Sequence, residues 1–332
     1  MSDTTSQTVK NLRPKRLDDY IGQSKVVQNL KMFISAVKKR GNPTEHILFY
    51  GPSGTGKTTL SNIVANELGS DIKITSGAVI ERAGDIAAIL TSMNDKDVLF
   101  IDEIHRLPKN VEEVLYPVME EFALDIIIGK GPSARTVRLS VPHITIVGAT
   151  TRLAMLSTPL RERFGLLLRL DYYSEKELMN IILRSSKMLK FNLSEEAAMS
   201  IAKRSRGTPR IAVRILNRVR DVRDMSEDSN IDLKKLDDLF SMMELDDLGL
   251  SNIDRKYLNV LGKKFKNNPL GVETIASSLS EDKKTIEEFV EPYLLQIGFI
   301  KKTTRGRILT EDALNHIGIK IKKSDTKQEK LL

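Results

Sequence analysis

The 332-residue chain is 40% hydrophobic and 29% charged, a balance that suits two or three globular domains and excludes a low-complexity chain. It has no cysteine, which rules out disulfides, thiolate zinc sites and cysteine nucleophiles; its four histidines (His46, His105, His143, His316) have no metal-ligand spacing. The formal charge of +8 permits a polyanionic partner without requiring one.

No apolar run approaches the roughly 18 residues that cross a bilayer, and Met1–Lys10 is polar, so a cytoplasmic, non-membrane protein is expected. The first predicted element is an amphipathic helix. Val26, Val27, Leu30, Phe33, Ile34 and Val37 fall on one stripe, and Gly41 with Pro43 closes it. A short apolar run, Ile47–Tyr50, then opens directly into a glycine-rich loop and a helix from Thr59 to Leu68, stopped by Gly69. Further β-type runs are Ile72–Thr75, Val98–Ile101, Ile144–Val147 and Leu166–Leu170. Most are continuous rather than alternating, as in a parallel sheet covered on both faces, so an α/β fold is predicted.

Between the last two of these elements and Val98–Ile101, residues Leu124–Ser140 read as a hairpin. Ile126, Ile127 and Ile128 lead to a Gly129-Lys-Gly131 turn, and alternation resumes from Ala134. Such an apolar hairpin is either a partner site or part of a core. Beyond about Tyr173 the strand signal ends. Glu175–Val222 reads as helices broken at Asn192 or Ser194 and at Thr208-Pro209; Met225–Leu250 is acidic and loop-like in parts, with a boundary near Asp246. In the last unit a helix is predicted to start at Thr285, with Glu288 completing a capping box. Ile286, Phe289, Val290, Tyr293, Leu294 and Ile297 line one face, Gly298 stops it, and Pro292 must kink or split it. Lys320–Leu332 is polar and is expected to be disordered.

The chemistry concentrates at Gly51-Pro-Ser-Gly-Thr-Gly-Lys-Thr58, a G-x-x-x-x-G-K-[ST] phosphate loop. Glycines such as Gly54 and Gly56 let backbone amides cradle phosphate oxygens, Lys57 reaches the β- and γ-phosphates, and Thr58 can ligate Mg2+. The helix that follows, from Thr59, directs its N-terminal dipole at the same anion. Downstream, Val98-Leu-Phe-Ile-Asp102-Glu103 sets two carboxylates at the C-terminal edge of a buried strand, where open α/β sheets bind ligands. Asp102 suits the magnesium shell, and Glu103 suits orienting and polarising the attacking water, which favours ATP hydrolysis over mere binding. A third strand ends in Thr151-Arg152, polar residues that either touch the γ-phosphate or form an ordinary turn.

These motifs together resemble the AAA+ ATPases and, within them, the RuvB family of junction-migrating motors. The resemblance runs in order through LRPKRLDDYIGQ (12–23), YGPSGTGKTTL (50–60), LFIDEIHRL (99–107), VEEVLYPVME (111–120), LDIIIGKGPSAR (124–135), GATTR (148–152), TPLRERFG (158–165), RSRGTPRIA (204–212), DRKYL (254–258) and EPYLLQIGFIKKTTRGR (291–307). It implies a P-loop AAA+ core with a parallel sheet over residues 1–173, a helical lid over 174–246, a winged helix over 247–320 and a tail over 321–332. It implies that Thr151 is the first sensor, Arg163 an arginine finger and Arg210 the second sensor. Arg13, Ile21 and Tyr173 would lie on the adenine side, with Thr59 beside the phosphates. The wing would span Phe299–Leu309, with Arg305 and Arg307 on DNA, and Ile126–Ile128 would dock a RuvA-like junction-binding protein. A homohexamer on duplex and four-way-junction DNA, with a junction-resolving nuclease as a further partner, completes what the resemblance implies. The chain departs from the family at GPSGTGKT (usually GPPGLGKT), at Leu153-Ala-Met155 (usually small residues) and at KKTTRGR (usually RTPRGR).

Physical argument supports two of these assignments independently. Charge on the γ-phosphate in the transition state favours another cation besides Lys57 and magnesium, and Arg161 and Arg163 follow a proline near a strand start, exposed enough to reach a neighbour. Head-to-tail contacts of that kind close into rings, although Arg–Glu–Arg runs also form plain surface ion pairs. Between Leu248 and Leu332, sixteen Lys and Arg stand against eleven Asp and Glu, and Arg305 and Arg307, two apart, could face one side and meet phosphates. Two other readings remain: a clamp-loader-like switch and a nucleotide-binding regulator without turnover. The winged-helix end and apolar hairpin favour the motor over the first, and Glu103 with Arg163 argues against the second.

Overall fold

The structure, a computed structural model, describes residues 12–40, 45–128, 135–225 and 231–319, without the side chains of residues 126–128 and 136. It forms two compact units, Met1–Asn217 and Arg218–Leu332, and the division falls inside one helix of the segment expected as a lid.

In the first unit, α1 (Ser24–Arg40) precedes β1 (Ile47–Tyr50), α2 (Lys57–Leu68), β2 (Ile72–Ser76), α3 (Ala83–Thr91) and β3 (Val98–Asp102). Then come α4 (Lys109–Glu121), a hairpin of β4 (Ala123–Ile128) and β5 (Arg135–Ser140), β6 (Thr145–Thr150), α5 (Thr158–Glu162) and β7 (Leu166–Arg169). Five strands make a parallel sheet in the order β2-β3-β6-β1-β7. The register aligns Tyr50 with Thr150 and Ile101 with Gly148, so the loops after β1, β3 and β6 leave from one edge.

Two apolar clusters cover the sheet's faces, and alternate strand residues serve each. Leu48, Leu99, Ile101 and Ile146 pack with Ile86, Leu90 and Leu115, whereas Ile47, Phe49, Phe100 and Val147 pack with Leu30, Leu60 and Ile63. This two-sided burial, about 1.5–3 kcal/mol for each large side chain, is why the strand sequences read as unbroken apolar runs. The expectation fails at the edges: β2 is largely exposed, with Ile74 at 55%, because it has a neighbour on one side only. Val26, Val27, Leu30, Phe33 and Ile34 of α1 are buried as predicted, while Gly41 and Pro43 lie outside the described residues. His46 bridges strand and helix: its Nδ1 accepts from the Ile146 N–H (2.9 Å) and its Nε2 donates to the Met119 carbonyl (3.0 Å). Burial lowers its pKa.

The β4–β5 hairpin pairs Ile126 with Val137 and Ile128 with Arg135. Its turn, including Gly129 and Gly131, and the side chains of Ile126, Ile127 and Ile128 lie outside what is described, although Val137 and Leu139 on the facing strand are exposed. Helices α6 (Glu175–Met188) and α7 (Glu195–Lys203) follow, capped by Ser174 and Ser194, and then α8 (Pro209–Met225).

The second unit corrects three expectations. The acidic stretch after Met225 contains a helix, α9 (Leu233–Met242), capped by Asp232 and burying Leu236, Leu239 and Phe240. After α10 (Asn252–Asn259) and α11 (Val272–Leu279), the predicted start at Thr285 is replaced by α12 (Lys283–Thr285) with Asp282 at its cap position. A π-turn over Ile286–Val290 then leads into α13 (Glu291–Gln296). Pro292 has no N–H to offer the Glu288 carbonyl, and the chain widens so that the Glu291 N–H reaches back to Ile286. The wider turn also rotates Phe289 out to 58% exposure, away from the buried stripe of Ile286, Val290, Tyr293 and Leu294. The β8 (Ile300–Thr303) and β9 (Gly306–Leu309) hairpin and α14 (Glu311–His316) complete a winged helix. Residues 320–332 lie outside the described chain.

Candidate active site and nucleic-acid interface

The loop between β1 and α2 is tightly wound. Gly51 and Gly56 have φ of 139° and 108°, and a Cβ on either would strike the Leu170 carbonyl or the Tyr20 hydroxyl. Lys57 is 7% exposed and folds back so that its Nζ donates to the carbonyls of Gly51 (2.9 Å) and Pro52 (2.7 Å). Burial pushes its ammonium down to about 8; Arg210 acts in the same direction, and Asp102 and Glu103 oppose it.

Asp102 ends β3 across from that lysine. The Thr58 hydroxyl points toward its carboxylate at 3.5 Å, and the other carboxylate oxygen accepts the Glu103 N–H at 2.9 Å. A hydroxyl and a carboxylate are the hard oxygen donors that Mg2+ takes when substrate phosphates supply further ligands. The described residues contain no group of three or more His, Asp or Glu that could hold a metal unaided. Glu103 sits in the left-handed region (φ 46°), rare for a residue with a Cβ, and pairs with Arg106 at 3.2 Å.

Thr151 is exposed at the end of β6, whereas its neighbour Thr150 is buried. The Thr150 hydroxyl lies 2.9 Å from His105 Nδ1 and accepts the Arg152 N–H at 2.9 Å. Thr150 and His105 thus tie the tips of β6 and β3 together beside Glu103. Sequence reading gave neither residue a role, although both fall in quoted motifs, His105 in LFIDEIHRL and Thr150 in GATTR. Burial lowers the His105 pKa, opposed by Glu103, leaving an uncharged ring between the strand ends.

Arg210, the second residue of α8, donates from Nη1 to the Ser53 hydroxyl at 3.0 Å. The serine that departs from the family wording therefore receives the arginine expected to act as a sensor. On the other side, the hydroxyls of Tyr20 and Tyr173 stand 2.8 Å apart, and Tyr173 donates to the Thr55 carbonyl at 3.1 Å. Burial raises both phenols, Tyr173 to about 12, so they remain hydrogen-bond donors. Tyr20 is a further missed residue. Ile21 is half-buried next to it, Thr59 is half-buried in the first turn of α2, and Arg13 is exposed.

Arg163 lies apart from this group. Its Nη2 pairs with Glu120 (3.2 Å), its Nη1 donates to the Pro159 carbonyl (2.7 Å), and its guanidinium stacks 4.5 Å from the Tyr116 ring centroid. Its ion pair, its side-chain hydrogen bond and its cation–π contact among the described residues all fall on α4 and α5.

The wing separates the two arginines that sequence spacing grouped together. Arg305 is exposed at the turn. Arg307 is 15% exposed and turns inward, donating from Nε to the fully buried Glu291 at 2.8 Å and pairing with Glu287 at 3.3 Å. Lys302 (2.7 Å) and the Tyr257 hydroxyl (3.1 Å) complete the shell around Glu291. Arg307 is therefore a strut of the wing, because an unpaired carboxylate at that depth would be far costlier than a lost surface contact. Sequence could not show this, since its partner lies on another element.

The sheet order, the phosphate loop facing Asp102-Glu103, the arginine beside the loop and the winged-helix end together define a P-loop ATPase of the AAA+ class. Three domain families match consecutively: the Holliday junction DNA helicase RuvB P-loop domain over residues 12–170, the RuvB AAA lid domain over 173–246 and the RuvB C-terminal winged helix domain over 247–318. The chain belongs to the RuvB family and is an ATP hydrolase. Among solved structures it resembles a Thermotoga maritima RuvB point mutant, with 45% identity and a TM-score of 0.84 over 93% of this chain and 99% of that one. It also resembles the structure described as the Thermotoga maritima RuvB Holliday junction branch migration motor, with 44% identity and a TM-score of 0.83 over 94% and 99%.

Proposed function

We propose that this chain is the subunit of a homohexameric ring that hydrolyses ATP with Mg2+ at subunit interfaces. The ring draws duplex DNA through itself and so moves Holliday junctions during recombination and repair in the cytoplasm. The observation that carries the reading is the set of partners of Arg163: a finger-type arginine whose ion pair, hydrogen bond and cation–π contact lie on α4 and α5, none on its own phosphate loop. A site with Lys57, Asp102, Glu103 and Arg210 in one chain and its remaining cation in the next requires a head-to-tail assembly.

In each site Lys57 leaves the loop carbonyls for the β- and γ-phosphates. Thr58 and Asp102 hold Mg2+, which neutralises phosphate charge when bound, and Glu103 accepts a hydrogen bond from the attacking water. Thr151, next to the buried Thr150–His105 pair, senses the γ-phosphate. Arg210 exchanges Ser53 for the same group. Arg13, Ile21 and Tyr173 line the adenine side. Arg305 contacts duplex phosphates, and Ile126–Ile128 dock a RuvA-like junction-binding protein, with a junction-resolving nuclease as a further partner.

Subunit mixing tests the ring. Arg163→Ala should bind nucleotide yet lose about 10³-fold in turnover. Mixing it with Lys57→Ala subunits should restore activity at hybrid interfaces, and four-way-junction unwinding should require the RuvA-like partner. A mixture that stays inactive while mixed rings form would remove the trans-acting finger.

A further inference from the structure

Arg163 is held in a defined pose by its own chain, although the reaction would need it elsewhere. The pose is built from three directions. Glu120 takes Nη2, the Pro159 carbonyl takes Nη1, and the Tyr116 ring lies under the guanidinium plane. Tyr116 is itself fixed, its hydroxyl 3.1 Å from the hydroxyl of Ser157, and Ser157 caps α5 by accepting the Leu160 N–H. One polar pair therefore aligns the helix carrying Arg163 with the helix that receives it.

The three supports are not equivalent. Pro159 and Tyr116 belong to backbone and ring, and a phosphate approaching the guanidinium edge need displace neither. Glu120 is different: it is an anion on a 54% exposed side chain, occupying the guanidinium edge that a phosphate oxygen would take. The Arg163 Nε is buried and has no hydrogen-bond partner among the described residues, so the guanidinium's satisfaction rests on its two terminal nitrogens. Glu120, Tyr116 and Arg163 all line one open cleft of about 700 Å³, which gives an outside group access to this edge.

We propose that Tyr116 is a positioning residue for the arginine finger and that Glu120 is the anion that parks it in the separate subunit, an assignment that rests on the reading of Arg163 as that finger. Glu120 holds the guanidinium in register in the separate subunit and competes with the neighbour's γ-phosphate for the same N–H groups. Tyr116 stays beneath the guanidinium through the exchange and keeps its plane. The competition is mild because the Glu120 carboxylate is half-exposed and screened by solvent, although the guanidinium it holds is only 21% exposed.

The test compares steady-state ATP turnover on duplex DNA for the full-length chain and its Glu120→Gln, Arg163→Ala and doubly substituted forms. Removing the competing charge should raise kcat by about 1.4- to 5-fold, the range of an ion pair with one solvent-screened partner, and leave the KM for ATP unchanged. Tyr116→Leu, which removes the ring, should lower kcat, again without moving KM. In the Arg163→Ala background, Glu120→Gln should have no effect, because there is no guanidinium left to release. A fall or no change in kcat for Glu120→Gln overturns the competition, as does a rise that persists without Arg163. Full turnover in Arg163→Ala alone would instead refute the finger on which the proposal rests. If Tyr116→Leu does not fold, Tyr116→Trp, which keeps a π face, should retain more turnover than Tyr116→His; equal losses would exclude the ring's role.

Discussion

Replacing Arg305 and Arg307 one at a time should separate two kinds of arginine that stand two residues apart. Arg307→Met keeps much of the side-chain volume but deprives the fully buried Glu291 of its Nε donor at 2.8 Å. Breaking one side of a buried pair costs about 3–5 kcal/mol. The lower end applies here, because Lys302 still stands 2.7 Å from the other carboxylate oxygen. At about 4–8 °C per kcal/mol for a domain of under a hundred residues, the winged-helix transition should fall by about 10 to 25 °C. Arg305→Ala, on an exposed side chain, should leave that transition within about 0.5 kcal/mol of the parent. Duplex binding measured by fluorescence anisotropy across a salt series should show the reverse order. Losing the Arg305 phosphate contact flattens the slope of log K against log salt by about 0.9, whereas Arg307→Met leaves the slope unchanged below its melting temperature. A flattened slope in the Arg307 variant with unchanged melting would refute the strut and return the DNA contact to that residue.

Lys57→Ala should abolish productive ATP binding, whereas Glu103→Gln should bind ATP and fail to turn it over; filter binding and phosphate release distinguish the two. Because burial brings the Lys57 ammonium to about 8, the nucleotide-free site is partly deprotonated near that pH, and bound phosphate draws the proton back on. Calorimetric titration at about pH 8 in buffers of different ionisation heat should therefore show a proton uptake by the parent protein that Lys57→Arg lacks. Burial lowers the His46 pKa, so the unfolded chain binds its proton first as pH falls through about 6.5. The His46 contribution to stability is thus constant above that pH and declines below it. The decline is at most about 1.4 kcal/mol per pH unit, and it should be absent from the stability curve of His46→Asn, so that the difference between the two proteins carries it. Ile127→Asp should leave basal ATPase unchanged and abolish capture by the junction-binding partner; unchanged capture places the docking surface elsewhere.

The nucleotide site was legible in the sequence where its residues are contiguous. Lys57 and Thr58 follow glycines in one loop, and Asp102-Glu103 ends a run that is apolar because both sheet faces are covered. What escaped depends on residues distant in the chain. Arg307 looks like an outward charge until Glu291 is placed beneath it. Thr150 gives no sign of being the buried member of its pair until His105 is set 2.9 Å away. Helix α9 was hidden by acidic composition, although Leu236, Leu239 and Phe240 carry the helical period. The helix starts at Lys283 behind Asp282 rather than at Thr285, and the missing N–H of Pro292 accounts for the widened turn that follows.

The geometry of the phosphate loop has a consequence for how such a chain can drift in evolution. Gly51 and Gly56 are closed to change, since any side chain there meets a fixed carbonyl or phenol. Ser53 and Thr55 are open in a graded way. Ser53 is exposed and could vary freely were Arg210 not hydrogen-bonded to its hydroxyl. Thr55 is fully buried, but its hydroxyl is satisfied by the Pro52 carbonyl at 2.8 Å, so a threonine fits where an apolar residue of similar volume also would. The two places where this loop has wandered from its relatives' wording are those at which a hydroxyl can be satisfied within the fold. Variation in the loop is thus channelled by hydrogen-bond capacity as much as by space, and a lineage can alter its grip on Arg210 without touching a residue that meets phosphate.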